Sequence, residues 1–368
     1  MYMRGKSSRT WLRNALKRLS TLEPYTFPEI WNSRIEFSEP LIKLDANENY
    51  FIPREFLSRA LQEVVSEVDL RFYPVVEYRQ LTESLAERLN LPAECIVLGN
   101  GSSQLIDAII YSFAKLKGKV ISLKPSFSLY RMRSKVHDVK FVDVPLNDDL
   151  SMDSKSVLKT AGNSGVIFIC SPNNPTGNQF SQESVLSIVE SFPGLVVLDE
   201  AYVDFADFSL ITKAVEYQNL VVLRSFSKSY GLAGGRLGYL VANSELAELL
   251  KSRILRPYSV SSVTLKVALK LLENHDAFIP YIEMLKDERR RFQQKLNNLN
   301  GVKAFDSKAN FILINVSEDD GSLGDKLASR RIYIRKVGKI FTKGFAYRIT
   351  VGLPEMNDRL IEELKILI

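Results

Sequence analysis

Residues 221–240 read Val-Val-Leu-Arg-Ser-Phe-Ser-Lys-Ser-Tyr-Gly-Leu-Ala-Gly-Gly-Arg-Leu-Gly-Tyr-Leu, and the rest of the chain is organised around them. The apolar run Leu220 to Leu223 predicts a short buried strand. It feeds Ser225, Ser227 and Lys228, then a segment carrying Gly231, Gly234, Gly235, Arg236 and Gly238. Hydroxyls and a guanidinium fork bind a phosphate, and glycines let backbone approach it. A lysine whose charge is suppressed by burial or cationic neighbours can form a Schiff base. A lone Ser-x-Ser-Lys is more often a polar turn with a surface lysine; the whole string is far more specific.

On either side of this stretch the pattern is α/β. Helices over 54–67, 78–90, 103–115 and 181–191 alternate with short apolar strands over 95–98, 119–123, 166–170, 195–199 and 220–224. Such strands, lacking polar alternation and separated by helices, predict a mostly parallel sheet covered on both faces. Long helices over 244–256 and 260–298 lead out of it. Strands over 311–316, 332–336 and 347–351, with helices over 321–330 and 355–367, predict a smaller and more antiparallel α/β unit. The expected organisation is an arm or helix over 1–40 that joins the small domain, a large domain over 41–255 and a small domain over 256–368.

Further motifs fall at strand ends, where open α/β sheets bind ligands. Gly99-Asn100-Gly101-Ser102-Ser103-Gln104 opens a helix, whose N–H groups and dipole favour an anion. Phe127, in Lys124-Pro125-Ser126-Phe127, is an aromatic that could pack on a ring or simply fill the core. Ser171-Pro172-Asn173-Asn174-Pro175-Thr176-Gly177 carries turn residues. Asp199, in Leu198-Asp199-Glu200-Ala201-Tyr202, is a carboxylate at a strand end, where burial would demand a cationic partner; a plain helix N-cap is the bland alternative.

Together these strings, in this order, resemble the fold-type I pyridoxal-phosphate enzymes, and within them the histidinol-phosphate aminotransferase family. The resemblance spans about residues 24–367 and implies a large domain with a seven-stranded-type sheet between helices, plus a smaller C-terminal α/β domain. It implies pyridoxal 5'-phosphate on Lys228, its phosphate held by Ser102, Ser103, Ser225, Ser227 and Arg236. Phe127 would stack on the ring, Asp199 would pair with the pyridine nitrogen, and Asn174 and Tyr202 would meet the phenolate oxygen. Tyr73, in Arg-Phe-Tyr-Pro, matches a tyrosine that reaches the cofactor of the other subunit, which implies a homodimer with shared sites. Arg348, in Arg-Ile-Thr-Val-Gly, matches a carboxylate clamp, Arg335 a phosphate contact, Tyr25 a lid position, and Asn47 the opening Asp-Ala-Asn-Glu-Asn motif. Three departures stand out: Ser103-Gln104 replaces a frequent Asp-Glu, Phe127 a tyrosine, and Tyr50 a proline. The resemblance implies transamination from histidinol phosphate to 2-oxoglutarate in histidine biosynthesis. Threonine-phosphate decarboxylases and aromatic aminotransferases share the anchoring residues and remain alternatives.

Bulk properties fit this. The chain has 368 residues, 45% hydrophobic and 25% charged, with a net charge of +6. No basic stripe interleaved with aromatics follows residue 20, so no nucleic-acid partner is expected. A non-enzymatic binding protein using its basic first 20 residues on nucleic acid or acidic lipid would leave Lys228, Asp199 and Asn174 without a purpose. No apolar run reaches the roughly 18 residues of a membrane span, and residues 1–20 lack the apolar core of a secretory signal. They predict a basic amphipathic helix with Trp11, Leu12, Ala15, Leu16 and Leu19 on one side, although an organelle transit segment shares that composition. A cytoplasmic enzyme is expected. Cys95 and Cys170 sit in apolar runs and read as reduced thiols; with only two histidines, no metal site is expected.

Overall fold

The computed structural model describes residues 6–22, 41–163 and 165–368. Among the described residues, twelve strands form two sheets. The chain runs α1 (Lys6–Ser20), β1 (Ile42–Leu44), α2 (Arg54–Glu67), α3 (Val75–Leu89), β2 (Ile96–Asn100) and α4 (Gly101–Ile109), which passes through a π-helical turn into α5 (Lys115–Lys117). Then come β3 (Lys119–Lys124), α6 (Ser128–Val136), β4 (Lys140–Pro145), α7 (Ser154–Ala161), β5 (Val166–Cys170), α8 (Gln182–Ser191), β6 (Leu195–Asp199), β7 (Leu220–Ser225), β8 (Leu237–Val241) and α9 (Ser244–Leu249). The last third holds α10 (Ser262–Glu273), α11 (Ile279–Asn297), β9 (Val302–Ala304), β10 (Phe311–Val316), α12 (Leu323–Ala328), β11 (Ile332–Gly338), β12 (Phe345–Thr350) and α13 (Pro354–Leu367).

The seven-stranded sheet has the order β2-β8-β7-β6-β5-β3-β4. Only β8 runs antiparallel to its neighbours. β5 and β8 are buried at every position, as a doubly covered sheet requires. Successive side chains alternate between faces. Val97, Val120, Phe168, Val197 and Leu223 meet α4 through Leu105, Ile106 and Ile109. Leu98, Ile121, Ile167, Val196 and Val222 pack on the other side with α2, α3, α8 and α10. Each such aliphatic side chain stabilises the fold by about 1.5–3 kcal/mol. An N-cap such as Ser181 on α8 or Asp153 on α7 adds about 1 kcal/mol. Core packing therefore outweighs capping in setting the architecture.

The smaller sheet has the order β1-β11-β12-β10-β9 and packs against α11, α12 and α13. Two features differ from the boundaries expected above. Ile42–Leu44 pairs in parallel with Ile332–Ile334, so β1 belongs to the small sheet. The 260–298 helix is broken at His275–Phe278, and its first half packs in the large core through Leu265, Ala268 and Leu271.

The sequence pattern also missed α6, β4, α7 and β8. β4 is an edge strand with only one buried residue, so its apolar signal is thin. β8 carries Gly238, and its strand pattern was hidden within the glycine-rich stretch. Arg289, set in the charged run Asp287-Glu288-Arg289-Arg290-Arg291, is buried and donates to the carbonyls of Ala309 at 2.7 Å and Phe205 at 3.3 Å. α1 forms as predicted, with Trp11, Leu12, Leu16 and Leu19 all more than half exposed. Among the described residues no helix is long and apolar enough to cross a membrane, and no His, Cys, Asp and Glu cluster could hold a metal ion.

Candidate active site

The C-terminal ends of β5, β6 and β7, together with the turn before α4, converge on one site. Lys228 follows β7, and its Nζ donates to the carbonyls of Asn47 at 3.0 Å and Ala46 at 3.2 Å. It lies 5.6 Å from the centre of the Tyr202 ring. Burial lowers its pKa to about 7, helped by the nearby cations Arg348, Arg236 and Lys43 and opposed by Glu48. A large share of the amine is therefore unprotonated at neutral pH, the form a nucleophile or base requires.

Beside it, the β7 end and the first turn of α4 face each other. Ser225 Oγ accepts from Ser227 N at 3.1 Å, and Arg236 Nη2 reaches Ser103 Oγ at 3.5 Å. A Cβ on Gly238 would stand 2.4 Å from Ser102 N, and one on Gly101 would stand 2.6 Å from Arg236 Nη2. Only glycine permits this close approach. Arg236 itself has φ 54° and Asn47 φ 55°. Such left-handed backbone costs an L residue about 1–2 kcal/mol and is concentrated at functional sites. Ser102, Ser103, Ser225, Ser227 and Arg236 thus form a cradle of hydroxyls, N–H groups and one guanidinium, a donor set suited to a phosphate.

At the other end lies Asp199, 2% exposed. Burial raises its pKa, a tendency opposed by a hydrogen bond from Tyr130. Tyr130 Oη donates to Asp199 Oδ2 at 2.7 Å, and Ala201 N donates to Oδ1 at 3.1 Å. Among the described residues no cation forms a salt bridge with this carboxylate, so a protonated ring nitrogen fits the position. Phe127 packs edge-on against Tyr130, with ring centres 5.5 Å apart.

Between these ends, the Tyr202 hydroxyl accepts from Asn47 Nδ2 at 3.0 Å and Asn174 Nδ2 at 3.1 Å. Arg348 Nη1 donates to Asn174 Oδ1 at 2.7 Å, and its Nη2 donates to the Asp45 carbonyl. Arg335 pairs in register with Arg348 across β11 and β12, so both lie on one face of the small sheet.

Lys228, Asn47, Asn174, Asp199, Tyr202, Arg348 and the cradle residues are thus gathered at one place, with Phe127 and Arg335 at its margins. Tyr73 is not: its ring is 73% exposed and stacks on Tyr258 at 4.5 Å. Tyr25 lies outside the described residues.

Sequence reasoning missed Tyr130, because a tyrosine two positions into a helix carries no local sign of the carboxylate it meets 69 residues later. It also left Asp45 and Asn310 without roles. Asn310 Nδ2 donates to the Asn47 carbonyl at 3.0 Å, while Asn310 Oδ1 is buried without a hydrogen bond and the buried Asp45 carboxylate pairs with Lys43 Nζ at 3.3 Å. The fit to a ligand is chemical: hydroxyls, N–H groups and a guanidinium suited to a phosphate lie beside an amine of lowered pKa.

Tyr130→Phe removes the hydroxyl from a buried carboxylate. We expect the variant to lose about 1–3 kcal/mol of unfolding free energy, measured by denaturant titration of cofactor-free protein. An unchanged midpoint would show that Asp199 needs no such donor.

The family described as aminotransferase class I and II matches residues 39–364. A histidinol-phosphate aminotransferase from Pyrococcus furiosus is 37% identical over 326 residues, spanning 88% of this chain and 91% of that protein. A histidinol-phosphate aminotransferase 2 from Archaeoglobus fulgidus is 33% identical over 354 residues, 96% of this chain and 99% of that one. The crystal structure of the histidinol-phosphate aminotransferase from Sinorhizobium meliloti in complex with pyridoxal-5'-phosphate shares the fold, with a TM-score of 0.84 at 23% identity, covering 100% of this chain and 98% of that one.

Proposed function

This chain belongs to the histidinol-phosphate aminotransferase family, within the class I and II aminotransferases, and from that premise we propose that it moves the amino group of histidinol phosphate to 2-oxoglutarate using pyridoxal 5'-phosphate. The observation that carries this is the convergence of three features at the ends of neighbouring strands: a phosphate cradle, a lysine with its pKa lowered to about 7, and a buried carboxylate with no salt-bridge partner among the described residues.

When bound, pyridoxal phosphate supplies an electron sink for the carbanion formed at the donor's Cα. Lys228 Nζ would hold its aldehyde carbon. As a free amine it would serve as the base that takes the donor's Cα proton and, once protonated, as the acid that returns it. Asp199 holds the ring nitrogen protonated, so the sink stays strong. Asn174 and Tyr202 orient the phenolate oxygen, while Ser102, Ser103, Ser225, Ser227 and Arg236 fix the phosphate. Arg348 grips the carboxylate of glutamate or 2-oxoglutarate, and Arg335 meets the phosphate of the donor.

The working unit we propose is a cytoplasmic homodimer in which Tyr73 reaches the partner's cofactor phosphate. Supporting this, Leu70, Phe72, Tyr73, Val75 and Val76 are more than half exposed on a single protomer, an apolar run that a second copy would cover.

An absorbance spectrum tests the assignment. Adding pyridoxal phosphate to the purified protein should give a visible band. L-histidinol phosphate should bleach it, and 2-oxoglutarate should restore it. A band indifferent to histidinol phosphate but bleached by an aromatic amino acid would change the donor. Carbon dioxide release without keto-acid formation would identify a decarboxylase, and no band at all would end the assignment of Lys228.

A further inference from the structure

An ion cluster, buried except for an Asp204 side chain that is 34% exposed, adjoins the site and has no part in the chemistry above. Glu200, Arg224 and Ser229 are 2%, 9% and 2% exposed. Arg224 Nε donates to Glu200 Oε2 at 2.9 Å, Nη1 to Asp204 Oδ1 at 3.3 Å, and Nη2 to Ser209 Oγ at 2.7 Å. Ser209 Oγ and Leu210 N both donate to Glu200, each at 2.7 Å. Ser229 Oγ donates to the second oxygen of Asp204. Each nitrogen of the guanidinium has its own acceptor, and both carboxylates are engaged.

Each member adjoins a site residue in the chain. Glu200 follows Asp199, Arg224 precedes Ser225, Ser229 follows Lys228, and Asp204 lies two residues after Tyr202. A buried ion pair adds little net stability, because desolvation consumes most of the Coulomb gain. Its parts nevertheless cannot separate without leaving a charge buried and alone. A planar guanidinium with three acceptors therefore fixes direction as well as distance.

We propose that the Arg224–Glu200–Asp204–Ser229 cluster is a positioning clamp that sets the span between Asp199 at one end of the cofactor site and Ser225, Ser227 and Lys228 at the other. The proposal rests on the assignment of the site to pyridoxal phosphate, a rigid ligand gripped at both ends. Two anchors reinforce each other only when their spacing matches the ligand, since the second contact forms at an effective concentration set by that spacing. A clamp that fixes the spacing raises affinity for the whole cofactor without touching it.

The cluster can be severed gently. Asp204, Arg224, Tyr230 and His275 border a cavity of about 140 Å³, room for a few waters that could hydrate a freed Asp204 oxygen. Ser229→Ala cuts the link to the lysine segment and leaves Asp204 paired with Arg224. Asp204→Asn weakens both of its contacts.

In calorimetric titrations of the cofactor-free protein, both variants should bind pyridoxal phosphate about tenfold or more weakly than the unmodified chain. Inorganic phosphate, which meets only one anchor, should bind within about a factor of two of its original affinity. Unchanged affinity for pyridoxal phosphate would overturn the clamp. So would equal weakening toward both ligands, which would mark local damage to the cradle. Should Asp204→Asn fail to fold, Ser229→Ala decides the matter alone. An unmodified protein that binds phosphate but not pyridoxal phosphate would overturn the cofactor assignment and the clamp with it.

Discussion

Lys228→Ala is expected to abolish turnover, by at least about 10⁴-fold, while leaving the fold intact. Removal of Nζ deletes the group that binds the cofactor's carbonyl carbon and the base that moves the Cα proton, and no second amine stands at its position. The remaining anchors, Asp199 and the cradle around Arg236, are unchanged, so pyridoxal phosphate should still bind. Steady-state rates with histidinol phosphate and 2-oxoglutarate measure the loss, and circular dichroism checks the fold. Turnover near the original rate would sink the mechanism.

The same variant carries a stability signature of definite sign. In the cofactor-free protein burial lowers the pKa of the folded amine to about 7, against an ordinary lysine value of 10.5. Between these values the unfolded chain binds the extra proton, so the stability of the original protein rises with pH across that window. Below about pH 7 both states are protonated and the burial penalty is at its full value. Relative to Lys228→Ala, the original protein should therefore be least stable near pH 6 and gain steadily toward pH 10. A constant difference in melting temperature would contradict the lowered pKa.

The second large effect is expected at Arg348. Replacing it with glutamine removes the guanidinium that would grip the carboxylate of glutamate and 2-oxoglutarate, and frees the oxygen of Asn174 it now holds. Truncating one side of a buried charge pair costs about 3 kcal/mol, or roughly 100-fold in affinity. The KM for 2-oxoglutarate should rise by that factor. Histidinol phosphate has no carboxylate, so the half-reaction that consumes it should lose far less. Pre-steady-state measurement of each half-reaction separates the two. Equal losses in both would place Arg348 in the support of Asn174 and Tyr202 rather than in carboxylate recognition.

Much of this architecture could be read from the residues, because the site is built from contiguous strings at strand ends. Ser225, Ser227, Lys228 and Arg236 fall in one stretch, and so do Asp199 and Tyr202. What stayed hidden depends on distant partners. Tyr130 gains its role only when β5 and β6 bring Asp199 against α6. The surroundings of Arg224 emerge only once Glu200, Asp204 and Ser209 fold around it. The edge strand β4 and the glycine-bearing β8 lacked the dense apolar signal of central strands. Arg289 resembled its exposed neighbours in sequence, and only the packing of α11 against Ala309 and Phe205 distinguishes it.

The pairing of β1 with β11 also bears on how the enzyme is made. Asn47 reaches the site from the turn after β1, and its backbone N–H is held by Thr350 Oγ1, 303 residues downstream. Contacts so remote in sequence form late, since a long loop must close before they contribute. Asn47 therefore cannot be held in place until β12 has been made and has paired with β10 and β11. A chain cut before β12 would lack this tether and Arg348 together, so the substrate side of the site depends on the last strand of the small sheet even though the cradle of β2, α4 and β7 lies within the first 240 or so residues.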